Sequence, residues 1–246
     1  MAGTIHVGTG GWDFDPWRGT FYPAGLAKTK QLAHLGTRLN ATEINATFYK
    51  LQTPELFARW AKMVPDGFKF AIKASRLCTN RKNLAEAGET MGRFCGQGFT
   101  ELGDKLGPLL WQLAPTKRFD ADELRAFLML LPTSRDGIAL KHALEVRHES
   151  FKCREFVALA RASNVAIVYA RLQRTREGEP AGYDAAALDR WAKVARGWAA
   201  GDSPAGLDYV SDAKAEKTPR EVFAFVIAGA KVRNPAAAEA LLERLK

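Results

Sequence analysis

The chain has 246 residues, 47% of them hydrophobic, with 36 Lys and Arg against 27 Asp and Glu and a formal net charge of +9. Its length fits one α/β barrel of about 250 residues, or two small domains, with apolar material enough for a substantial core. No run of about 18 apolar residues marks a membrane span, and "MAGTIHVGTGGW" lacks the basic-then-apolar layout of an export signal, so a soluble cytoplasmic protein without a membrane partner is expected.

Residues 4–8 form a short apolar run that predicts a strand, and residues 28–39 carry the 3.6-residue period of a helix. A second strand at 41–45 leads to a helix at 54–64, with Pro54 in its permissible first turn. The alternation continues with strand 68–73 and helix 89–102, strand 108–113 and helix 120–131, then strand 143–147 and helix 154–162. Strand 165–170, helix 184–199, strand 221–227 and an amphipathic helix at 234–245, capped by Asn234 with Pro235 next, complete the chain. Repeated βα units of this kind imply a parallel sheet. The Pro/Gly/Asp/Lys-rich stretch at 201–218 is too short to act as a linker between domains, so residues 1–246 are expected to make a single domain. "GTGGWDF" lacks the third glycine of a dinucleotide-binding turn and runs into tryptophan instead of a helix, which leaves the eight-fold barrel ahead of an open doubly wound sheet.

Residues two apart on a strand share a face. In "HALEVRHESF" Glu145 and Arg147 therefore point the same way, with His148 where the strand gives out. Glu43 and Asn45 share a face in "ATEINATFY", Lys69, Ala71 and Lys73 in "FKFAIKA", and Leu110 and Gln112 in "GPLLWQL", while Phe68, Phe70 and Ile72 are left to pack beneath helices. A barrel brings the C-terminal ends of its strands to one mouth, where Glu43, Asn45, Lys73, Gln112, Glu145, Arg147 and His148 would line a ligand site. The competing reading is a charge-satisfied interior, but buried ion pairs stabilise little relative to apolar replacements. After the first strand, Trp12, Phe14, Trp17, Arg18, Phe21 and Tyr22 fall close together, and Tyr49 follows the second strand. Such a wall could stack a sugar or base, with Arg18 against a ring or phosphate, or simply cover the barrel end.

With these residues assembled, the sequence resembles the bacterial and archaeal family called domain of unknown function 72. The matching stretches are "VGTGGWDFDPWRGTFYP", "ATEINATFYKL", "FKFAIKASRL", "LGDKLGPLLWQL" and "ALEVRHESF", with "AKVRNPAAAEALLERL" near the end. The resemblance implies a TIM-barrel-like (β/α)8 fold, similar in appearance to the xylose isomerase and endonuclease IV barrels, and no established activity. It places Glu43, Asn45, Tyr49, Lys73, Gln112, Glu145, Arg147 and His148 on motif positions. Three departures stand out. Thr79-Asn80 replaces the family's Thr-His, and the last strand ends in Ile227, Gly229 and Lys231 instead of Asn and Asp. "NVAIVYARLQRT" joins the start of the sixth strand to the end of the seventh, so the barrel is expected to be gapped there.

The net positive charge favours an anionic partner, although Lys28, Lys30, Arg76, Lys82, Arg171, Arg176 and Arg196 are scattered and form no basic tail. The leading expectation is an anionic small molecule held by Lys73 and Arg147, with Glu43, Glu145 and His148 as acid/base groups. A phosphate near Gly229 at the start of the last helix is a further possibility of the same kind. A metal-assisted hydrolase or isomerase would use Glu43, Glu145 and His148, but Lys73 and Arg147 would repel the cation, so no metal and no cofactor are expected. Nucleic-acid binding, loosely analogous to repair enzymes, and a non-catalytic scaffold also remain compatible with these residues. Cys78, Cys95 and Cys153 fall in no metal-binding spacing and are expected to be free thiols.

Overall fold

The computed structural model describes residues 2–169, 172–210 and 216–246. The expected strand end at Ala170, the basic Arg171 and residues 211–215 lie outside them. In chain order the principal elements are β1 (Ile5–Gly10), α1 (Lys28–Gly36), β2 (Ala41–Ile44), α2 (Pro54–Met63), β3 (Lys69–Lys73), α3 (Gly88–Cys95) and β4 (Leu106–Gln112). They continue as α4 (Ala121–Met129), β5 (His142–Glu145), α5 (Arg154–Ala162), β6 (Val165–Ile167), α6 (Ala185–Ala199), β7 (Val222–Val226) and α7 (Asn234–Leu245). Every predicted strand and helix is present, so the alternating α/β reading holds; the differences lie at element ends. No helix among the described residues is long and apolar enough to cross a membrane.

Local chemistry accounts for most boundaries. Asp120 and Asp184 accept hydrogen bonds from the backbone N–H of Glu123 and Ala187, both at 2.8 Å, and so start α4 and α6; such a cap contributes about 1 kcal/mol. The helix predicted over 89–102 stops at Cys95 because Gly98 adopts φ 86° against Pro54, and a short 3-10 segment, Phe99–Lys105, replaces its second half. Asn234 does not cap α7 as expected: its Oδ1 accepts the Thr175 hydroxyl at 2.8 Å, and Arg233 occupies the cap position. A small hairpin, Ser134–Arg135 with Ile138–Ala139, was not anticipated, although its Asp136-Gly137 turn, both at positive φ, is a strong hairpin signal.

The chain folds into two compact units. The first holds residues 1–43, 63–69 and 170–246, the second 44–62 and 70–169. In the first, β1 runs parallel between β2 and β7, with Gly10 opposite Glu43 and Ile5 opposite Val222. The side chain of Asn40 extends this ladder, accepting from Val7 N at 2.6 Å and donating to Ile5 O at 3.0 Å. Ala195, Ala199 and Val222 pack with Ile5, Trp198 and Leu245 beneath the helices. On the far side of β7, Leu172 and Thr175 make isolated parallel bridges to Val226 and Gly229.

In the second unit the parallel order is β6, β5, β4, β3. The face toward the helices carries Ile72, Leu109, Trp111 and Leu144, all fully buried, with Trp111 edge-on to Phe94 and Phe127. His142 completes this layer: its Nδ1 accepts the Trp111 indole N–H at 3.0 Å, and its Nε2 lies 2.8 Å from Pro132 O.

A complete (β/α)8 barrel is not formed. Among the described residues the start of one strand, Val165–Ile167 on β5, and the tip of another, Leu172 to Thr175 on β7, follow each other with no helix between. A parallel crossover needs about a dozen or more residues, so one βα unit of the eight-fold plan is missing at the place the sixth and seventh strands predicted.

Two outcomes follow from this packing. A Cβ on Gly8 would lie 1.9 Å from Ala41 O, so Gly8→Ala is expected to cost at least about 3 kcal/mol or to prevent folding, read from urea unfolding. Burial holds the His142 imidazole below its usual 6.5, so the unfolded chain takes up the proton first. Stability should be fully present above about pH 6.5 and decline as pH falls below it, and His142→Leu should flatten that slope in urea melts.

Candidate functional site

Lys73, Gln112 and Glu145 are each the last residue of a strand, β3, β4 and β5 respectively. The register pairs Lys73 with Leu110 and Gln112 with Glu145. Since Leu110 and Gln112 share a face, the three polar side chains form a row on the side opposite Trp111 and Leu144. The Gln112 amide Nε2 donates to Glu145 Oε1 at 2.8 Å, with both residues buried. A buried carboxylate needs such donors, because desolvation costs several kcal/mol otherwise.

Below this row the backbone is locked at the strand ends. Leu113 N donates to Glu145 O at 2.9 Å, and Ala74 N to Leu110 O at 2.8 Å. Arg147 was expected on the strand beside Glu145, but β5 stops at Glu145, so the alternation no longer fixes its direction. Its Nε and Nη2 both donate to Leu113 O, at 3.0 and 2.9 Å. The guanidinium thus holds an end of β4 while remaining exposed. His148 caps the turn Glu149–Phe151, its Nδ1 accepting from Ser150 N at 3.1 Å, which leaves the proton of a neutral ring on Nε2. Ser150 Oγ in turn accepts from Phe119 N at 2.8 Å.

The helical turn Ala46–Tyr49 stands beside the end of β3. Buried Thr47 donates its hydroxyl to Lys73 O at 2.7 Å, and the Lys73 ammonium lies 4.5 Å from the centre of the Phe48 ring. Tyr49 meets Phe48 edge-on at 5.1 Å and is 70% exposed; Asn45 precedes the turn and is half-buried. Thr47 and Phe48 were missed in the sequence. Only Phe48, an aromatic close to motif positions on both sides, left a signal there.

Three of the expected residues belong to the first unit. Glu43 is buried near the end of β2, opposite Gly10. Trp12 is half-buried and its carbonyl accepts the Tyr22 hydroxyl at 2.6 Å. Arg18 pairs with Asp15 at 3.0 Å and Asp13 at 4.0 Å on the surface, contacts worth little in stability. The aromatic loop is packed: Trp17 and Tyr22 are buried, and Trp17 Nε1 donates to Lys231 O at 2.7 Å. Burial and the nearby Asp13 push the Tyr22 phenol well above its ordinary value. Lys231 sits 4.2 Å from the Phe14 ring, and burial lowers its ammonium. Gly229 is required by its backbone: at φ 80° a Cβ would lie 2.6 Å from the Thr175 hydroxyl. Among the described residues no cluster of three or more His, Cys, Asp or Glu side chains is arranged to hold a metal ion.

A family model described as "Protein of unknown function DUF72" matches residues 6–246. The chain belongs to this family. Two solved DUF72 structures share the fold, one from Thermotoga maritima MSB8 with TM-score 0.68 and 18% identity, covering 97% of each chain. The other, from Enterococcus faecalis V583, has TM-score 0.66 and 14% identity and covers 99% of this chain and 98% of its own. At such identities the likeness is one of fold alone. A stretch of 71 residues is 32% identical to the UPF0759 protein YunF of Bacillus subtilis strain 168, and that match spans 24% of the relative's length. Within this DUF72 chain, Asn80 stands where the family resemblance leads one to expect histidine, and it is exposed just after the buried Thr79.

Replacing Gln112 by leucine takes a donor from Glu145 Oε1 and should cost about 1–3 kcal/mol. The double variant Gln112→Leu/Glu145→Leu should lose less than the sum of the single losses in urea unfolding, since the second change removes the carboxylate that lost this donor.

Proposed function

We propose that the C-terminal ends of β3, β4 and β5 bind a small molecule through a phosphate or carboxylate group, with Glu145 and His148 able to exchange protons with it. The observation supporting this reading is the in-register row of Lys73, Gln112 and Glu145, each ending its strand on the face that does not pack under helices. C-terminal strand ends are where parallel α/β folds place their ligand sites.

Each residue has a distinct role. Lys73 supplies a point charge steadied by the Phe48 ring. Arg147 commits two N–H donors to Leu113 O; a guanidinium has five, so the others are held in a fixed direction for bidentate contact with an anion. Gln112 orients the Glu145 carboxylate. His148, with its proton on Nε2, can donate to an oxygen of the ligand and retrieve the proton through the same atom. Asn45 and Tyr49, on the turn beside Lys73, supply a polar group and an exposed ring at the edge. In the first unit Glu43 is the candidate acid/base carboxylate, at the end of its own strand. Cys78 and Cys95 are free, buried thiols, and burial pushes Cys95 up to about 12, so it is a poor nucleophile and takes no part in the site.

The test is native mass spectrometry on protein purified without phosphate or citrate, followed by calorimetric titration with inorganic phosphate and with a sugar phosphate. Wild-type protein should bind at least one, and Lys73→Ala and Arg147→Ala should each weaken binding about tenfold, or 1.4 kcal/mol. Wild-type protein that binds neither, or variants that bind as well as wild type, would sink the assignment.

A further inference from the structure

A cavity of about 640 Å³ opens in the first unit, well away in sequence from the strand-end row, and is lined by Leu172, Arg174, Arg176, Tyr183, Arg190 and Trp191 among others. Its volume falls within the range of small-molecule sites, about 300–1,000 Å³. Two elements build it. Residues 172–175 run extended beside β7, bridged at Leu172 and Thr175. The Thr175 side chain is buried, its hydroxyl set against backbone oxygen and Asn234 Oδ1, while Leu172, Gln173, Arg174 and Arg176 line the cavity. Facing them, Ala187, Arg190 and Trp191 lie on one side of α6 at three- and four-residue spacing.

The lining is chemically divided. Leu172, Ala187 and the Trp191 indole are apolar, and Leu172 and Trp191 also line a second, narrower cleft with Ala195, Trp198 and Leu241. Three arginines stand against one lining carboxylate, Asp184. Arg176 is already engaged, at 2.9 Å from Asp184 and 3.2 Å from Glu179. Among the described residues Arg174 and Arg190 make no ion pair; the Arg190 guanidinium lies 5.6 Å from the Trp191 ring. The Tyr183 hydroxyl accepts from Arg174 N at 2.9 Å, which leaves its proton available to an anionic oxygen.

We infer that this cavity binds a nucleotide, its phosphates on Arg174, Arg190 and the Tyr183 hydroxyl and its base on Trp191. Two guanidinium groups outside any ion pair suit the oxygens of a diphosphate, and the indole that Arg190 borders suits a base, since base–aromatic stacking contributes about 1–3 kcal/mol. An inorganic anion would use the arginines and leave the indole and its apolar cleft without purpose. This goes beyond the strand-end site and shares no residue with it.

Calorimetric titration of the full chain with ADP tests the inference. Wild-type protein should bind ADP saturably, Arg174→Ala/Arg190→Ala should weaken it at least tenfold, and Trp191→Leu should weaken ADP while leaving pyrophosphate unchanged. Arg174 and Arg190 are exposed, so the double variant should keep the wild-type melting temperature. Lys73→Ala/Arg147→Ala should bind ADP as wild type does, whatever becomes of the strand-end ligand. The inference fails if ADP does not bind at millimolar concentration, if the double arginine variant binds it equally, or if pyrophosphate binds as tightly as ADP. It also fails if single-stranded oligonucleotides bind with affinity rising with length far beyond ADP, the behaviour of a general polyanion surface.

Discussion

A carboxylate withdrawn from water costs several kcal/mol unless donors take the place of solvent, and the end of β5 is organised around one such group. Gln112 reaches Glu145 only because β4 and β5 are parallel and in register at their last residues. A slip of one position would bring Trp111 to the polar side and Gln112 under the helices. The register that satisfies Glu145 is therefore the one that buries Trp111 against Phe94, Phe127 and His142. Core and candidate site are the two faces of a single constraint.

The same strand ends are secured from outside the ladder. Arg147 clamps the Leu113 carbonyl, Thr47 the Lys73 carbonyl, and His148 the turn that follows it. Each of these side chains contributes hydrogen bonds to backbone atoms that the strand no longer pairs, as buried or half-buried chain ends require. A residue engaged in this way is held in one orientation before any ligand arrives, which lowers the entropy lost on binding.

The first unit solves a different problem. Among the described residues, the outer neighbour of β7 meets it through isolated bridges, and the segment that makes them is fixed by Thr175, whose hydroxyl reaches Asn234 and the carbonyls of Ala228 and Ala230. Gly229 must lack a side chain for Thr175 to come so close. With the segment anchored at Thr175, the arginines at 174 and 176 line the cavity beside Trp191.

Much of this could be read from the chain alone. The period of apolar residues located β1 to β7 and α1 to α7, and alternation in "GPLLWQL" and "ALEVRHESF" separated Gln112 and Glu145 from Trp111 and Leu144, because side-chain direction in a strand is a local property of the backbone. The resemblance to the family, whose members run a longer segment where this chain has "NVAIVYARLQRT", likewise pointed to the gap in the barrel. Tertiary structure decided what depends on neighbours distant in sequence. It ended β5 before Arg147 and turned that side chain to the Leu113 carbonyl. It gave Asn234 to Thr175 instead of to a helix end, and brought Phe48 under the Lys73 ammonium. A hydrogen bond or ring contact goes to whichever partner folding delivers, and no pattern along one segment specifies a partner carried by another.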